Sequence, residues 1–147
     1  MASRQYVTFE VNGQLFGVDV GTVQEVLRFS EYTPVPLTQA AVNGLFNLRG
    51  QVITALDLRV QLGLPPLQMN GAAMNVVVRV REEPVSLLVD RIGEVISLDD
   101  DALEPPPETL TGPYRDIVLG TFKLDDHLLL VLDVTSATHT PSEAAER

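Results

Sequence analysis

The sequence predicts a mainly all-β protein built from two pseudo-symmetric five-stranded barrels of the SH3 or OB type, with a few short helices. Short apolar runs recur at steady spacing between Gly- and Pro-rich turns, which is typical of small barrels and sandwiches. The two halves also repeat the same order of elements. A chain of 147 residues with 45% hydrophobic residues is large enough to bury a core as one domain.

The sequence of the first half predicts two hairpins joined by an irregular connection. Asn12-Gly13, between two alternating apolar runs, is the strongest short hairpin signal. A short turn of helix leading into a strand follows, and residues 30–43, with two prolines, form a connection. In the second hairpin Gly50 can adopt the positive φ of a tight turn, and Asp57 is placed as a helix N-cap. The predicted strands cover residues 6–11, 15–20, 23–27, 45–48 and 52–56.

The second half predicts a similar series after a Pro- and Gly-rich joint at residues 63–73, the best internal boundary. We expect turns at Arg81-Glu82-Glu83-Pro84 and at Asp125-Asp126-His127. Asp99-Asp100-Asp101 predicts the cap of a short helical turn, residues 105–113 a connection, and Asp133 the cap of a last helical turn. The predicted strands cover residues 74–80, 85–89, 92–96, 117–124 and 128–132.

An internal repeat supports the two-barrel architecture. With identical spacing, Gly44, Phe46, Leu48, Leu56 and Asp57 recur as Gly120, Phe122, Leu124, Leu132 and Asp133. Upstream, Val23, Glu25, Val26 and Leu27 correspond to Ile92, Glu94, Val95 and Ile96. We therefore expect one domain over residues 1–140, with halves at about 1–66 and 67–137 that may exchange their end strands. Residues 141–147 are expected to form a flexible tail.

The two copies differ at the tip of the second hairpin. The first copy has Asn47-Leu48-Arg49-Gly50, whereas the second has Lys123-Leu124-Asp125-Asp126. A duplicated scaffold often keeps its core and varies a functional loop, so Arg49 is a candidate functional residue. Its alternative role is that of a solvated side chain on a hairpin.

Composition disfavours several classes of function. A net charge of −10 argues against nucleic acid and against direct binding to anionic membranes, because both need a basic surface. The absence of Cys excludes disulfides and thiol catalysis, and two His residues are a poor stock for acid–base chemistry. No apolar run reaches the roughly 20 residues of a membrane span, and the N-terminus lacks the pattern of a signal peptide. We expect a cytoplasmic protein.

Two polar clusters could suggest a metal site, but each has a simpler interpretation. Asp99, Asp100, Asp101 and Glu104 do not have the alternating ligands and central Gly of an EF-hand loop, so capping is the better account. The cluster at residues 125–127 is better explained as a polar hairpin turn. Motifs of common hydrolases and nucleotide-binding enzymes are missing from the sequence. We expect no enzyme activity, metal or cofactor.

Several motifs together resemble the CheW family of chemotaxis coupling proteins. NLRG at Asn47–Gly50 and LDLR at Leu56–Arg59 match its pattern, as do VNGQLFGVDVGTVQEV, VSLLVDRIGEVISL and VLGTF. The resemblance covers roughly residues 5–137. It implies a two-barrel fold and an adaptor that links the cytoplasmic tip of chemoreceptors to the CheW-like regulatory domain of the histidine kinase CheA.

The resemblance also implies two functional surfaces. Receptor binding in the family uses an apolar groove, and the matching positions are Val23, Val26, Ile92 and Val95. The coupling hairpin would include Gly44, Asn47, Arg49 and Gly50, with a possible ion pair between Glu25 and Arg49. Groove residues of this type are often core residues instead, and Gly44 and Gly120 could matter only because a side chain would not fit.

Two other functions stay open. The family also serves chemosensory systems outside flagellar chemotaxis, in pilus or gliding motility, and no motif separates these. A small ligand-binding β-barrel is a further alternative, disfavoured because barrels of about five strands are filled by their own side chains.

Overall fold

The structure, a computed structural model, describes residues 3–28, 42–65 and 74–138. Most of the predicted connection 30–43, most of the joint 63–73 and the tail 141–147 lie outside these ranges. The strands are β1 (Ser3–Val11), β2 (Gln14–Asp19), β3 (Val23–Arg28), β4 (Val42–Leu48), β5 (Gln51–Asp57), β6 (Met74–Val80), β7 (Glu83–Val89), β8 (Arg91–Asp99), β9 (Val118–Lys123) and β10 (Leu128–Leu132). The helices are α1 (Leu58–Gln61), α2 (Pro113–Ile117) and α3 (Val134–Ala137), with 3₁₀ turns at Val20–Thr22 and Asp100–Ala102.

The ten strands form two five-stranded sheets with equivalent topology. The terminal sheet has the order β8-β1-β2-β10-β9, and the central sheet has the order β3-β6-β7-β5-β4. Matching β1–β5 to β6–β10 in sequence converts one order into the other. Each sheet therefore combines the first hairpin of one copy with the last three strands of the other copy. This confirms the predicted mainly all-β, pseudo-symmetric fold class.

Three apolar clusters hold the two sheets. The largest lies between them and combines residues of both, such as Phe9 and Phe16 from the terminal sheet with Val78 and Leu87 from the central sheet. Each sheet also curls around a smaller cluster of its own. These are Tyr6, Phe122, Leu129 and Val131 in the terminal sheet, and Phe46, Ile53, Ala55 and Val77 in the central sheet.

The predicted helix caps at three aspartates are confirmed. The side chains of Asp57, Asp99 and Asp133 accept hydrogen bonds from backbone amides of α1, of the 3₁₀ turn at Asp100–Ala102 and of α3. Helix α2 was not expected, because residues 105–113 were assigned to a connection and a strand was expected from Ile117. Gly112, at a φ of 63°, turns the chain into this helix, and Pro113 occupies its first turn, where proline is well tolerated.

The expected four-residue turn at 81–84 is wrong. Val80 pairs with Glu83 and Arg79 pairs with Pro84, so only Arg81 and Glu82 remain in the turn. Both adopt positive φ, 53° and 70°, as a tight two-residue hairpin requires. The hairpins at Asn12-Gly13 and Arg49-Gly50 use the same conformation with a glycine in the second position.

A Glu82→Gly variant should be more stable than the parent protein. Left-handed backbone costs a non-glycine residue about 1 kcal/mol, and glycine avoids this cost. We expect the free energy of unfolding, measured by urea titration, to rise by about 0.5–1 kcal/mol. A Glu83→Gly control, one residue into the paired strand, should lose stability instead, and a loss in both variants would contradict the argument.

Candidate functional site

The four apolar residues that the family resemblance implies for a groove lie on β3 and β8, which are edge strands of the central and terminal sheets. Each pairs with a core residue of the neighbouring strand: Val23 with Val78, Val26 with Val76, Ile92 with Phe9, and Val95 with Val7. Directly paired residues share one face of a sheet. Because all four partners belong to the cluster between the sheets, the four residues lie on the faces that the two sheets turn toward each other.

Exposure divides the four residues into two symmetric pairs. Val23 and Ile92 are partly buried and pack against the core between the sheets. Val26 and Val95 are 36% and 54% exposed. The core interpretation therefore applies to the first pair, whereas the second pair presents apolar surface to solvent at the edges of both sheets. We call these four residues the edge groove.

The structure contains the ion pair between Glu25 and Arg49. Arg49 Nη2 donates to Glu25 Oε1 at 3.0 Å, and Nη1 donates to Oε2. Glu25 lies on β3 and Arg49 at the tip of β4 and β5, so the pair joins the two edges of the central sheet. The hydrogen bond from Arg49 lowers the pKa of Glu25, and Glu25 in turn raises the pKa of Arg49. The Arg49 side chain is 71% exposed, so a partner protein can contact it.

The other residues of the coupling hairpin shape its tip. Asn47 Oδ1 accepts a hydrogen bond from the Gly50 amide at 3.0 Å, which closes the turn. Arg49 and Gly50 have φ values of 51° and 88°. A Cβ at Gly50 would meet no atom within 4 Å, so glycine is required there for its conformation and not for space. Gly44 pairs with Ala55 in the backbone register, and its surroundings lie outside the described residues.

The second copy lacks an equivalent ion pair. Glu94 takes the place of Glu25, and Asp125 takes the place of Arg49, so both positions carry negative charge. The edges of the terminal sheet are joined by apolar packing, with Ile96 and Leu98 of β8 in the same cluster as Phe122 of β9. Among the described residues, an ion pair between the two edges of a sheet at these positions is therefore specific to the first copy.

A second ion pair was missed by the sequence analysis. Arg59 on α1 donates from Nε and Nη2 to the two carboxylate oxygens of Asp90, at 3.0 and 2.7 Å. Both side chains are only about one-fifth exposed, at 22% and 19%. Arg59 belongs to the LDLR motif, but its partner is 31 residues further on, and no spacing rule connects them.

Asp90 stays ionised despite partial burial. Burial raises the pKa of Asp90, but hydrogen bonds from Arg59 and from the Asn12 amide outweigh it and lower the pKa overall. A carboxyl group with a lowered pKa in the folded state stabilises the protein above its unfolded pKa of about 4. This contribution disappears as the pH falls through the lowered value.

The polar clusters have local structural partners. Asp126 and His127 contact each other at 2.5 Å in the predicted hairpin turn, and both are exposed. In the described parts of the chain, no three His, Asp or Glu side chains converge in the way that would hold a metal ion. None of the described helices has the length and apolar character needed to cross a membrane.

An open cavity of about 480 Å³ lies at one end of the terminal sheet. Leu103, Leu119 and Val131 line it, and Arg4 spans its rim. Arg4 contacts Asp19 at 3.1 Å and Asp100 at 3.2 Å, so its charge is matched within the chain. Tyr6 and Val131 of the apolar cluster in the terminal sheet also line this cavity, so it opens beside that cluster.

These features define a class: a duplicated small-barrel protein with exposed apolar side chains on two edge strands and a charged hairpin tip. The profile of the family described as "CheW-like domain" matches residues 5–141. The chain therefore belongs to the CheW-like domain family.

Individual relatives agree with this assignment. The chain is 29% identical to the probable chemotaxis protein CheW of Rhizobium etli, over 97% of this chain and 92% of that protein. It is also 29% identical to Protein PilI of Pseudomonas aeruginosa, over 90% of this chain and 75% of that protein. The crystal structure of scaffolding protein TtCheW from Thermoanaerobacter tengcongensis superposes with a TM-score of 0.82, with 29% identity and 90% coverage of both chains.

Proposed function

We propose that this protein is a non-catalytic adaptor that couples chemoreceptors to the histidine kinase CheA in a chemotaxis pathway. The observation that carries the proposal is the edge groove, because Val26 and Val95 expose apolar side chains at equivalent positions of the two sheets. Such a groove suits one face of an amphipathic helix. The family and its relatives, several of which are named chemotaxis proteins, support the same function.

The kinase side of the proposal involves the coupling hairpin. Gly44, Asn47, Arg49 and Gly50 would transmit the receptor state to the CheW-like regulatory domain of CheA. The ion pair supports this role, since Glu25 lies between Val23 and Val26 of the edge groove, on the same strand. A change in the groove could therefore reach the hairpin tip through one contact. The adaptor would act in the cytoplasm, recruited to receptor arrays at the membrane by protein contacts alone.

A second candidate is the same coupling role in a pilus or gliding system. The relative named Protein PilI, which is not named as a chemotaxis protein, supports it. The two candidates use the same groove and hairpin, and they differ in the receptor and kinase that bind. Binding assays with receptor tips and kinases from both kinds of system in the source organism would separate them.

A Val95→Asp variant tests the edge groove. Because Val95 is 54% exposed, a carboxylate there should leave the fold intact but place an uncompensated charge against an apolar helix face. We expect binding to a receptor-tip fragment to weaken at least about tenfold, as for a central interface residue. Affinity can be measured by calorimetry, with circular dichroism to verify folding.

Val52→Asp provides a matched control. Val52 is 66% exposed and lies on β5, which pairs with β7 and β4 and carries no residue of the edge groove. It should bind the receptor fragment as tightly as the parent protein. Normal binding by a folded Val95→Asp protein would remove the edge groove from the receptor site. An unfolded Val95→Asp protein would instead support a core role for this residue.

A further inference from the structure

The chain crosses from the central sheet to the terminal sheet at Asp90, between β7 and β8. Three separate segments meet at this residue. Its backbone amide donates to Glu10 O at 3.0 Å, and its carboxylate accepts from the Asn12 amide at 2.8 Å. The same carboxylate receives the two hydrogen bonds from Arg59, on the helix that follows β5. Asp90 therefore connects the first hairpin of the terminal sheet to a helix attached to the central sheet.

This connection exists in only one copy of the repeat. Thr135 occupies the position of Arg59 in the second copy, two residues after the equivalent cap residue Asp133. At the other crossing, Asp19 caps the 3₁₀ turn and pairs with Arg4 of its own sheet. The crossing at Asp19 thus has an ion pair within one sheet, whereas the Arg59–Asp90 pair links a helix of the central sheet to the start of β8 in the terminal sheet.

The pair lies next to one side of the edge groove. Ile92 is two residues beyond Asp90 in the sequence, and Val95 follows in the same strand. The register of β8 against β1 is interrupted between these two residues, where Thr8 Oγ1 donates to Glu94 O at 2.5 Å. Such an irregularity bends a strand and increases its local twist, so the direction in which β8 starts affects where Val95 lies. Asp90 is a fixed point at the start of β8.

We propose that Arg59 and Asp90 are positioning residues for the receptor groove. They fix the start of β8 to the helix of the central sheet, and so set the spacing between Ile92 and Val95 on one edge and Val23 and Val26 on the other. A bidentate guanidinium–carboxylate pair with little exposure is suited to this, because its geometry is defined in two directions. The inference rests on the proposed function, since it concerns the same groove.

Arg59→Gln and Asp90→Asn variants of the full chain test this inference. The Asp90→Asn side chain keeps one oxygen that can accept from the Asn12 amide, but it loses the charge and replaces the second acceptor oxygen with an NH2 donor, which cannot accept from Arg59. We expect each variant to bind the receptor-tip fragment about tenfold more weakly under conditions where circular dichroism shows it fully folded. The methyl NMR signals of Ile92 and Val95 should shift as well. Restoring the pair in reversed order, with Arg59→Asp and Asp90→Arg together, should recover part of the affinity.

Lys123→Gln is the control, since it breaks an exposed pair between Lys123 and Glu104, and neither residue belongs to the edge groove. It should change neither the affinity nor the methyl signals of the groove. If the Arg59 and Asp90 variants lose stability but bind normally when folded, the pair is structural only and the inference is wrong. If the parent protein itself does not bind the receptor fragment, the proposed function fails instead.

Discussion

An Arg49→Glu protein is expected to fold normally and yet to lose most receptor-dependent activation of the kinase. The substitution replaces the guanidinium that binds Glu25 with a second carboxylate. The junction between β3 and the hairpin tip would then be repulsive, although the apolar cluster inside the central sheet, including Leu27 and Leu48, remains. Because the apolar packing and not the exposed pair holds this sheet, the loss should be one of coupling and not of folding.

The measurement is autophosphorylation of CheA in a reconstituted complex with receptor and adaptor. We expect receptor-dependent activation to fall about tenfold or more, in the range of ordinary coupling energies between sites. Arg81→Glu is a closely matched control, since Arg81 also occupies a hairpin tip and has a φ of 53°, close to the 51° of Arg49. Equal activation by both variants would show that Arg49 has no special role.

A Gly120→Ala protein should be strongly destabilised. A Cβ at this position would lie 2.7 Å from Glu104 O and 2.9 Å from Leu103 Cδ1. Glu104 and Thr121 exchange two backbone hydrogen bonds of 2.8 Å beside it, so the neighbouring backbone cannot withdraw without breaking them. We expect the free energy of unfolding to fall by about 1–3 kcal/mol, the usual cost of forcing atoms into a packed site.

Gly17→Ala provides the comparison within the same sheet. Its Cβ would meet the two methyl groups of Leu129 at 3.3 Å, and this side chain can move more easily than a backbone carbonyl. Urea titration should therefore show a smaller loss for Gly17→Ala than for Gly120→Ala. Equal urea midpoints for the two variants would show that residues 103 and 104 can move away from the new Cβ without lowering the free energy of unfolding.

Elements that depend on local or repeated patterns could be predicted from the sequence. Asn12-Gly13 and the three capping aspartates have short-range signals, the two copies match by their common spacing, and the structure shows each of them. Steric exclusion at Gly120, the alternative to a functional role for this residue, is also present. These features could be predicted because turn geometry, capping and alternation act over a few residues.

Other features depend on contacts between distant segments. The Arg59–Asp90 pair joins the start of a helix to the point where the chain crosses between the sheets. The residues adjacent to either one in the sequence give no indication that the two side chains pair. The expected turn at Arg81-Glu82-Glu83-Pro84 is too long, because Glu83 and Pro84 pair with Val80 and Arg79 across the hairpin. The difference in exposure between Ile92 and Val95 also could not be read from their similar side chains, since it arises from their different depths at the sheet edge.

The exchange of hairpins has a consequence for biosynthesis. All strands of the central sheet are consecutive, from β3 to β7, so this sheet has all its strands once residue 89 has been synthesised. The hairpin of β1 and β2 emerges from the ribosome before the central sheet, but its neighbours β8 and β10 emerge much later. Its apolar face, which includes Phe9 and Phe16, can pack against the completed central sheet, whereas both its edges must wait for β8 and β10. The edges of this hairpin are thus the ones most exposed to misassociation during folding, because the strands that cover them are the most distant in the sequence.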